Sequence, residues 1–472
     1  MAGLDPAIHV LNAVLKDVDA RHKAGHDQNR INESNSMNLH RLLQARHEAG
    51  KPVRVALIGA GKFGSMFLSQ VPHTPGLEVP VIVDLAPDRA KDACRAVGWD
   101  DAQIARTKFT DDGSAASGGN IDVVVEATGN PAVGIKHARA AIKAGKHIVM
   151  VNVEADVLAG PLLAEEARKA GVVYSLAYGD QPALTAEIVD WARATGFNVV
   201  AAGKGTKYLP IYHDVTPDGV WAHYGLTPQE AKAAGMNPQM FNSFLDGTKS
   251  SIEMAAIANA TGLDVPSNGL AFPPCGVDDL PHVMRPRQMG GVLEKPGVVE
   301  VVSSLERDSR PVFRDLRWGV YAVLEAPNDY AAACFKQYGL KTDSSGRYAA
   351  MYKPYHLIGL ELNISILSAA LRNEPTGQPY EFRGDVAAVA KRNLRAGEML
   401  DGEGGFTVWG KLMPAAESLR EGALPIGLAH KLKLKNDVAH GSVVRWADVE
   451  FNDKDETIAT RRMMEKTFGS VA

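Results

Sequence analysis

The chain has 472 residues, 45% apolar and 22% charged, a balance typical of globular proteins and a length that suggests roughly two to four domains. Its formal net charge of -4 gives no electrostatic ground for binding nucleic acid or an anionic membrane. No segment approaches the roughly 20 apolar residues of a membrane span, and the N-terminus lacks the basic start and apolar core of a signal peptide, so a cytoplasmic protein is expected.

Residues 1–52 read as a polar helical arm, with Ile8, Leu11, Val14 and Leu15 at helical spacing and a polar interruption, GHDQNRINESNSMN. From PVRVALIG onward, apolar strands alternate with helical stretches. Strands are predicted at 53–58, 79–84, 122–126, 147–151 and 172–176, and the helical stretch AVGIKHARAAIKAG stops at Gly145. The alternation predicts the α/β class, with a doubly wound parallel sheet of Rossmann type over 53–180. Residues 181–384 are mixed, with helices at 183–195 and 248–261 and strands at 198–202, 298–302 and 318–324. This part is read as an α+β substrate and dimerisation domain. Short strands punctuated by glycine predict a small β domain over 385–455, followed by a tail, 456–472. Cys94, Cys275 and Cys334 have no metal-ligand spacing and read as free thiols.

The first strand runs into Gly59-x-Gly61-x-x-Gly64, with Lys62 and Phe63 between the last two glycines. In a dinucleotide site the first glycine permits a tight turn, the second lets backbone approach a pyrophosphate, and the third lets the new helix pack on the strand. Asp84 ends the next strand 20 positions after Gly64, the offset expected of the acid that accepts the ribose hydroxyls. Its charge would repel a 2′-phosphate, so NAD is favoured and NADP is the alternative. Arg89, after Pro87, is placed on the following helix and makes a poor phosphate clamp. Ala127, Thr128 and Gly129 fall at the carboxyl end of another strand, close to where a nicotinamide ribose would lie. Asn152 and Glu154 end the next, either near the nicotinamide or bonded to their own backbone.

Five stretches, VNVEADVLAGPLL, VVYSLAYGDQPA, VVAAGKGTK, FLDGTKSSIEMAAIANATGL and GGVLEKPGVVE, give the chain a resemblance to the 1-deoxy-D-xylulose 5-phosphate reductoisomerase-like enzymes, relatives of homoserine dehydrogenase. It spans roughly residues 40–455, and the segment from VAKRNLRAGEML to VRWADVEF is similar to the SAF domain, a small β-clip. The resemblance implies a homodimeric, nicotinamide-dependent enzyme acting on a small polyhydroxylated or phosphorylated substrate. It also implies a helix near 354–372 that packs back on the cofactor domain. Three features depart from it, the first being that Asp246 and Lys249, in the region matching the Asp and Lys of homoserine dehydrogenases, are three positions apart where that family has four. Asp84 stands where an NADP-using relative would carry hydroxyl or arginine side chains, and Val153–Glu154 stand where homoserine dehydrogenases carry a lysine.

Hydride transfer to a carbonyl needs a proton donor and a partner for the developing oxyanion. Lys249 fits that role if its charge is opposed by burial or other cations, and Glu253 follows it on the same helix face. Asp246 either caps that helix or handles a proton. Lys204, between Gly203 and Gly205, and nearby Lys207 suit an anionic or carbonyl ligand. Asp180 suits a substrate hydroxyl, with Glu187 further along the helix; Lys353, Tyr355 and His356 precede a returning helix. No compact metal cage is legible, and a divalent metal requirement stays open. The reading is an NAD(P)-dependent oxidoreductase acting on a polyol, sugar acid or sugar phosphate, with or without isomerisation. Reductoisomerase proper with NADPH, homoserine dehydrogenase and a non-catalytic dinucleotide sensor are the alternatives.

Overall fold

The computed structural model describes residues 38–469; the helical spacing at Ile8 to Leu15 lies outside them. The chain opens on a helix, Leu39–Glu48, capped by the Asn38 side chain. Six strands then form one all-parallel sheet: β1 Val53–Ile58, β2 Leu77–Val83, β3 Lys108–Thr110, β4 Val123–Glu126, β5 His147–Met150 and β6 Tyr174–Leu176. Their order is β3-β2-β1-β4-β5-β6, the dinucleotide-binding arrangement in which ligands sit beyond the carboxyl ends. Valine, isoleucine and leucine fill these strands because both faces are covered. One face packs on the helix Asn363–Arg372 through Leu362, Ile366 and Leu367. The other packs on the helices Pro131–Lys143 and Val153–Ala170.

Register fixes where the site lies. Thr110, Val83, Ile58, Glu126, Met150 and Leu176 are successive partners across the sheet. The strands therefore end in one row, and the residues that follow, including Asp84, Gly59, Ala127 and Asn152, share one edge.

A second sheet has the order β10-β9-β7-β8, with β7 Asn198–Thr206, β8 Val298–Ser303, β9 Val320–Glu325 and β10 Tyr348–Lys353. The helices Gln181–Ala194 and Thr248–Thr261 cover one face. In the second helix every residue except Lys249 is buried. A helix buried all round is a central element: this one contacts the second sheet, the helix Val153–Ala170 of the first unit, and the C-terminal strands.

Those strands are β11 Gly384–Ala390, β12 Met399–Asp401, β13 Val408–Pro414, β14 His430–Leu434 and β15 Val449–Glu450. They pair as β11-β13 and β12-β14-β15. Residues 456–468, expected as a tail, form a helix instead. Asp455 caps it, and Arg461 is buried, reaching Asp385 at 2.6 Å and Glu465 at 2.8 Å. The cysteines are unpaired, and burial pushes the Cys94 and Cys275 thiols up to about 12. Among the described residues no helix is long and apolar enough to cross a membrane.

Candidate active site

The three glycines have three different surroundings. Gly59 has φ +95°, and a Cβ there would lie 2.6 Å from the Ala127 carbonyl oxygen, so only glycine lets the β1 and β4 turns touch. A Cβ on Gly64 would lie 2.5 Å from the Gly59 oxygen, whereas one on Gly61 would meet nothing within 4 Å. The open glycine is also the N-cap of the helix Lys62–Gln70 and makes no side-chain cap bond, which leaves room for an anion at a helix N-terminus. Lys62 is exposed there and Phe63 half-buried.

Asp84 is held at the mouth of this loop. One carboxylate oxygen accepts from Ala60 N at 2.9 Å; the other accepts from Ala86 N at 2.9 Å and from Arg89 at 3.3 Å. Arg89 is 73% exposed and leans on Asp84. On the next turn, Thr128 donates to the buried Glu126 at 2.5 Å, and Gly129 is exposed with φ +69°. Asn152 is buried. Its Oδ1 accepts from Ala155 N at 3.0 Å and its Nδ2 donates to the Asn130 carbonyl at 2.9 Å. Of its two readings, the geometry assigns the cap, which ties the β4 and β5 turns together.

Beyond Asn152 lies a cluster of charges contributed by several elements. Glu154, in the first turn of the helix Val153–Ala170, meets Lys249 of the central helix at 2.5 Å. Glu253, one turn along from Lys249, pairs instead with Lys204 of β7, and both are buried. The expected Lys249–Glu253 partnership is thus divided, each residue pairing with a charge on another element. The Gln181 carboxamide, with its nitrogen toward Glu253, donates to both carboxylate oxygens at 3.0 and 3.1 Å. Asp180 caps the same helix by accepting from Gln181 N at 2.9 Å. Burial and the nearby Glu253 raise its carboxyl above the ordinary range, against Lys249 and His356.

Lys249 departs from expectation in sign. Burial presses its pKa down, but Glu154, Glu253, Asp180 and Glu403 outweigh burial and hold the ammonium above its ordinary value. A side chain held protonated in this way is an anchor for oxygen rather than a proton donor. Asp246 is likewise corrected. It is wholly buried, accepts from Thr248 N at 2.9 Å and pairs with buried Lys391 at 2.8 Å, so it caps and staples. Gly203 and Gly205 do not open Lys204 to a ligand: a Cβ on either would lie within 2.0 Å of the Glu300 or Leu316 carbonyl oxygen. Lys207 bonds to the His223 carbonyl.

At the rim, Lys353 donates to Tyr178 at 2.6 Å and to Glu187 at 2.7 Å, Tyr355 is exposed, and His356 donates to the Trp318 carbonyl at 2.6 Å. Sequence reasoning missed Glu126, Gln181, Lys391 and Glu403. Only Glu403, in DGEGGF between two glycines, carried a visible signal. Among the described residues no group of three or more His, Cys, Asp or Glu side chains could hold a metal ion.

The glycine loop and the acid that closes it fit a dinucleotide, and the cluster beyond them fits redox chemistry on an oxygen-bearing carbon; these are the features of a nicotinamide-dependent oxidoreductase. Residues 53–178 match the model of an oxidoreductase family with an NAD-binding Rossmann fold, Gfo/Idh/MocA, and residues 179–362 match the catalytic domain of the oxidoreductase DRL. The chain is an oxidoreductase, similar over residues 53–178 to the Gfo/Idh/MocA NAD-binding fold and over residues 179–362 to the DRL catalytic domain.

Among solved structures it is similar to a probable dehydrogenase from Thermotoga maritima, at 15% identity over 68% of this chain and 90% of that one, TM-score 0.36. It is also similar to the myo-inositol dehydrogenase of Lactobacillus casei in complex with NAD(H) and myo-inositol, at 18% identity over 36% of this chain and 50% of that one, TM-score 0.26. A third is the biliverdin reductase of Synechocystis sp. PCC 6803 in complex with biliverdin and NADP+, at 19% over 34% and 48%, TM-score 0.25. No curated protein matches the sequence.

The matched families overturn the resemblance to 1-deoxy-D-xylulose 5-phosphate reductoisomerase-like enzymes and to homoserine dehydrogenase. The site agrees with that correction: the acid aligned with homoserine chemistry, Asp246, is locked to Lys391, and Glu154 stands where a lysine was required. The SAF-like expectation for 385–455 finds no support in the matched models, which end at residue 362.

Proposed function

We propose that the chain is an NAD-linked dehydrogenase that interconverts a hydroxyl and a carbonyl on a small, polar, polyhydroxylated substrate such as a polyol, sugar acid or sugar phosphate. The observation that carries the reading is the Lys249–Glu154 contact. It sets the charged cluster of the catalytic domain against the turn that follows β5, on the edge where the glycine loop opens. A buried set of acids and ammonium groups suits a ligand rich in hydroxyls, since each can donate to or accept from one.

Gly59, Gly61, Gly64 and Asp84 would hold the dinucleotide, which supplies or takes up the hydride when bound. Asp84 supports NAD: its carboxylate is fixed by backbone amides beside the open loop and would repel a 2′-phosphate. In the cluster, the Lys249 ammonium steadies the substrate oxygen as negative charge develops there. Lys204 stays paired with Glu253, and Asp180 accepts from a hydroxyl.

The test is equilibrium binding of NADH and NADPH to the full chain, followed by reduction of NAD+ at 340 nm with a panel of polyols, sugar acids and sugar phosphates. NADH is expected to bind at least about tenfold tighter, with the gap closing in Asp84→Ser, as befits loss of a charge-assisted bond. Equal or preferred NADPH binding by the unaltered protein sinks the NAD assignment. Absence of turnover across the panel sinks the substrate class.

A further inference from the structure

The C-terminal β unit reaches into the cluster through the loop that joins β12 to β13, DGEGGFT. Three side-chain hydrogen bonds fix this loop against the substrate unit, and a fourth ties it to Lys391 of its own unit. Gln239 donates to the Asp401 and Glu403 carbonyls at 3.0 and 2.9 Å, Asn242 to the Gly404 carbonyl at 2.9 Å, and Lys391 to the Gly405 carbonyl at 2.9 Å. The glycines are required by the fit. A Cβ on Gly404, at φ +65°, would lie 2.1 Å from the Gln239 oxygen, and one on Gly405 would lie 2.4 Å from the Asp401 carboxylate. That carboxylate also binds Phe406 N at 2.6 Å and Thr407 N at 3.0 Å, closing the loop on itself.

The result is one side chain, Glu403, directed into the site. Its carboxylate accepts from the Ser243 hydroxyl. The charged groups around it are Glu154 from the helix Val153–Ala170, Lys249 from the central helix, and Asp246. Burial, then the charge of Glu154, push this carboxyl up to about 7, with Lys249 and Ser243 opposing.

Four carboxyls, Glu154, Asp180, Glu253 and Glu403, share the field of Lys249, and Lys204 is the other ammonium in the cluster. Fully ionised, the set would carry excess negative charge in a largely buried place, which favours a proton on one of its acids. Lys249 is held charged and takes no part in that exchange. Glu403 is the acid placed to hold the proton and to give it up.

Resting on the dehydrogenase reading above, we infer that Glu403, delivered by the C-terminal β unit, is the proton-accepting carboxyl of the site and acts on the substrate hydroxyl that Lys249 holds. In the oxidising direction the substrate C–H bond breaks with its electron pair passing to the nicotinamide of NAD+. The O–H bond breaks with its proton passing to the Glu403 carboxylate, and the C=O bond forms. Reduction runs the same steps backwards, Glu403 returning the proton.

The test uses full-length protein labelled with [5-13C]glutamate, unaltered and as Glu403→Gln, a variant of the same shape that still accepts from Ser243. Two carboxyl resonances titrating near pH 7 are expected in the first, from Glu403 and from the buried Glu300, and only that of Glu300 in the second. NADH binding is expected to stay within about twofold, while turnover of NAD+ with the active members of the panel falls about 10²- to 10⁴-fold and loses its acidic limb. Should Glu403→Gln fold poorly, Ser243→Ala serves: losing the hydroxyl that favours the carboxylate moves the titration and the acidic limb upward. Absence of any glutamate resonance that titrates above about pH 5.5 and disappears in Glu403→Gln, or wild-type turnover and an intact limb in that variant, overturns the inference. Unaltered protein that binds no NADH overturns the functional reading instead, and the titration then distinguishes the two failures.

Discussion

Replacing Lys391 by methionine tests the claim that Asp246 is a staple. The two side chains are 1% and 0% exposed and 2.8 Å apart, and methionine nearly fills the lysine's volume, so the effect is one of charge rather than of a cavity. Removing one member of a buried pair costs about 3–5 kcal/mol because the other is left uncompensated. An independent limit comes from the acid itself, which can escape by taking a proton. Against an unfolded value of about 3.9, that escape costs at most about 4 kcal/mol at pH 7 and about 1.5 kcal/mol at pH 5. The Val215 carbonyl keeps its bond from Asn242, while the Gly405 carbonyl loses its donor, adding about 1 kcal/mol.

The expected loss is therefore about 4–5 kcal/mol at pH 7, shrinking by about 1.4 kcal/mol per pH unit toward pH 5. The sign follows from proton counting: in the variant the folded Asp246 binds more protons than the unfolded one, so stability falls as pH rises. Hydrogen exchange across β11 and β13 reads this locally, without assuming that a chain of several units unfolds in one step. Adding Asp246→Asn to the variant should restore most of the loss and leave NADH binding intact. A loss below about 1 kcal/mol at pH 7, or one independent of pH, refutes the buried pair.

The glycine loop separates binding from folding. Gly61→Ala should leave thermal stability unchanged while weakening NADH binding about tenfold or more, because its Cβ meets no protein atom but enters the space a pyrophosphate needs. Gly64→Ala should cost about 1–3 kcal/mol or more, since the contact at 2.5 Å is with backbone; equal behaviour of the two variants in melting and binding assays refutes the distinction. Asp156 is buried beneath the first sheet, and burial raises its carboxyl to about 7 against the Tyr174 hydroxyl 2.8 Å away. An acid raised on folding contributes stability below its unfolded value that is lost as pH climbs through about 7. The melting temperature should accordingly fall between pH 5 and 8, and less steeply in Asp156→Asn; an unchanged slope refutes this.

The parallel sheet was legible because interior strands such as VRVALI are apolar throughout and end on punctuating residues. β1 falls at 53–58 and the central helix at 248–261, as their sequence patterns predict. The glycine loop and Asp84 were legible for a related reason: the motif is local, and each residue acts within its own turn. Partnerships were not legible. Lys249 and Glu253 share a helix face at the spacing of a surface ion pair, and nothing in that spacing shows that other elements supply their counter-charges. Glu403 and Lys391 escaped because their roles depend on a β unit folding back onto residues well over a hundred positions earlier. The helix 456–468 was missed because its buried positions include Thr457, Thr460 and Arg461, polar residues that break an apolar stripe.

Such partnerships bear on how the site forms. Lys249 lies on the one side of the central helix that is not packed into core. Its counter-charges come from the helix after β5, from the helix start at Asp180 and from the loop of the C-terminal unit. Lys204 of the second sheet depends likewise on Glu253 of the helix that covers it. An isolated ammonium or carboxylate in any of these positions would be expensive to bury, and each becomes tolerable only when its partner from another element arrives. The units therefore cannot settle their charges separately: the contacts that assemble the three units are the same contacts that assemble the site. A chain cut after residue 383 would keep the glycine loop and Asp84 but leave Asp246 without Lys391 and the cluster without Glu403. Cofactor recognition is thus local to the first sheet, whereas the chemistry belongs to the whole fold.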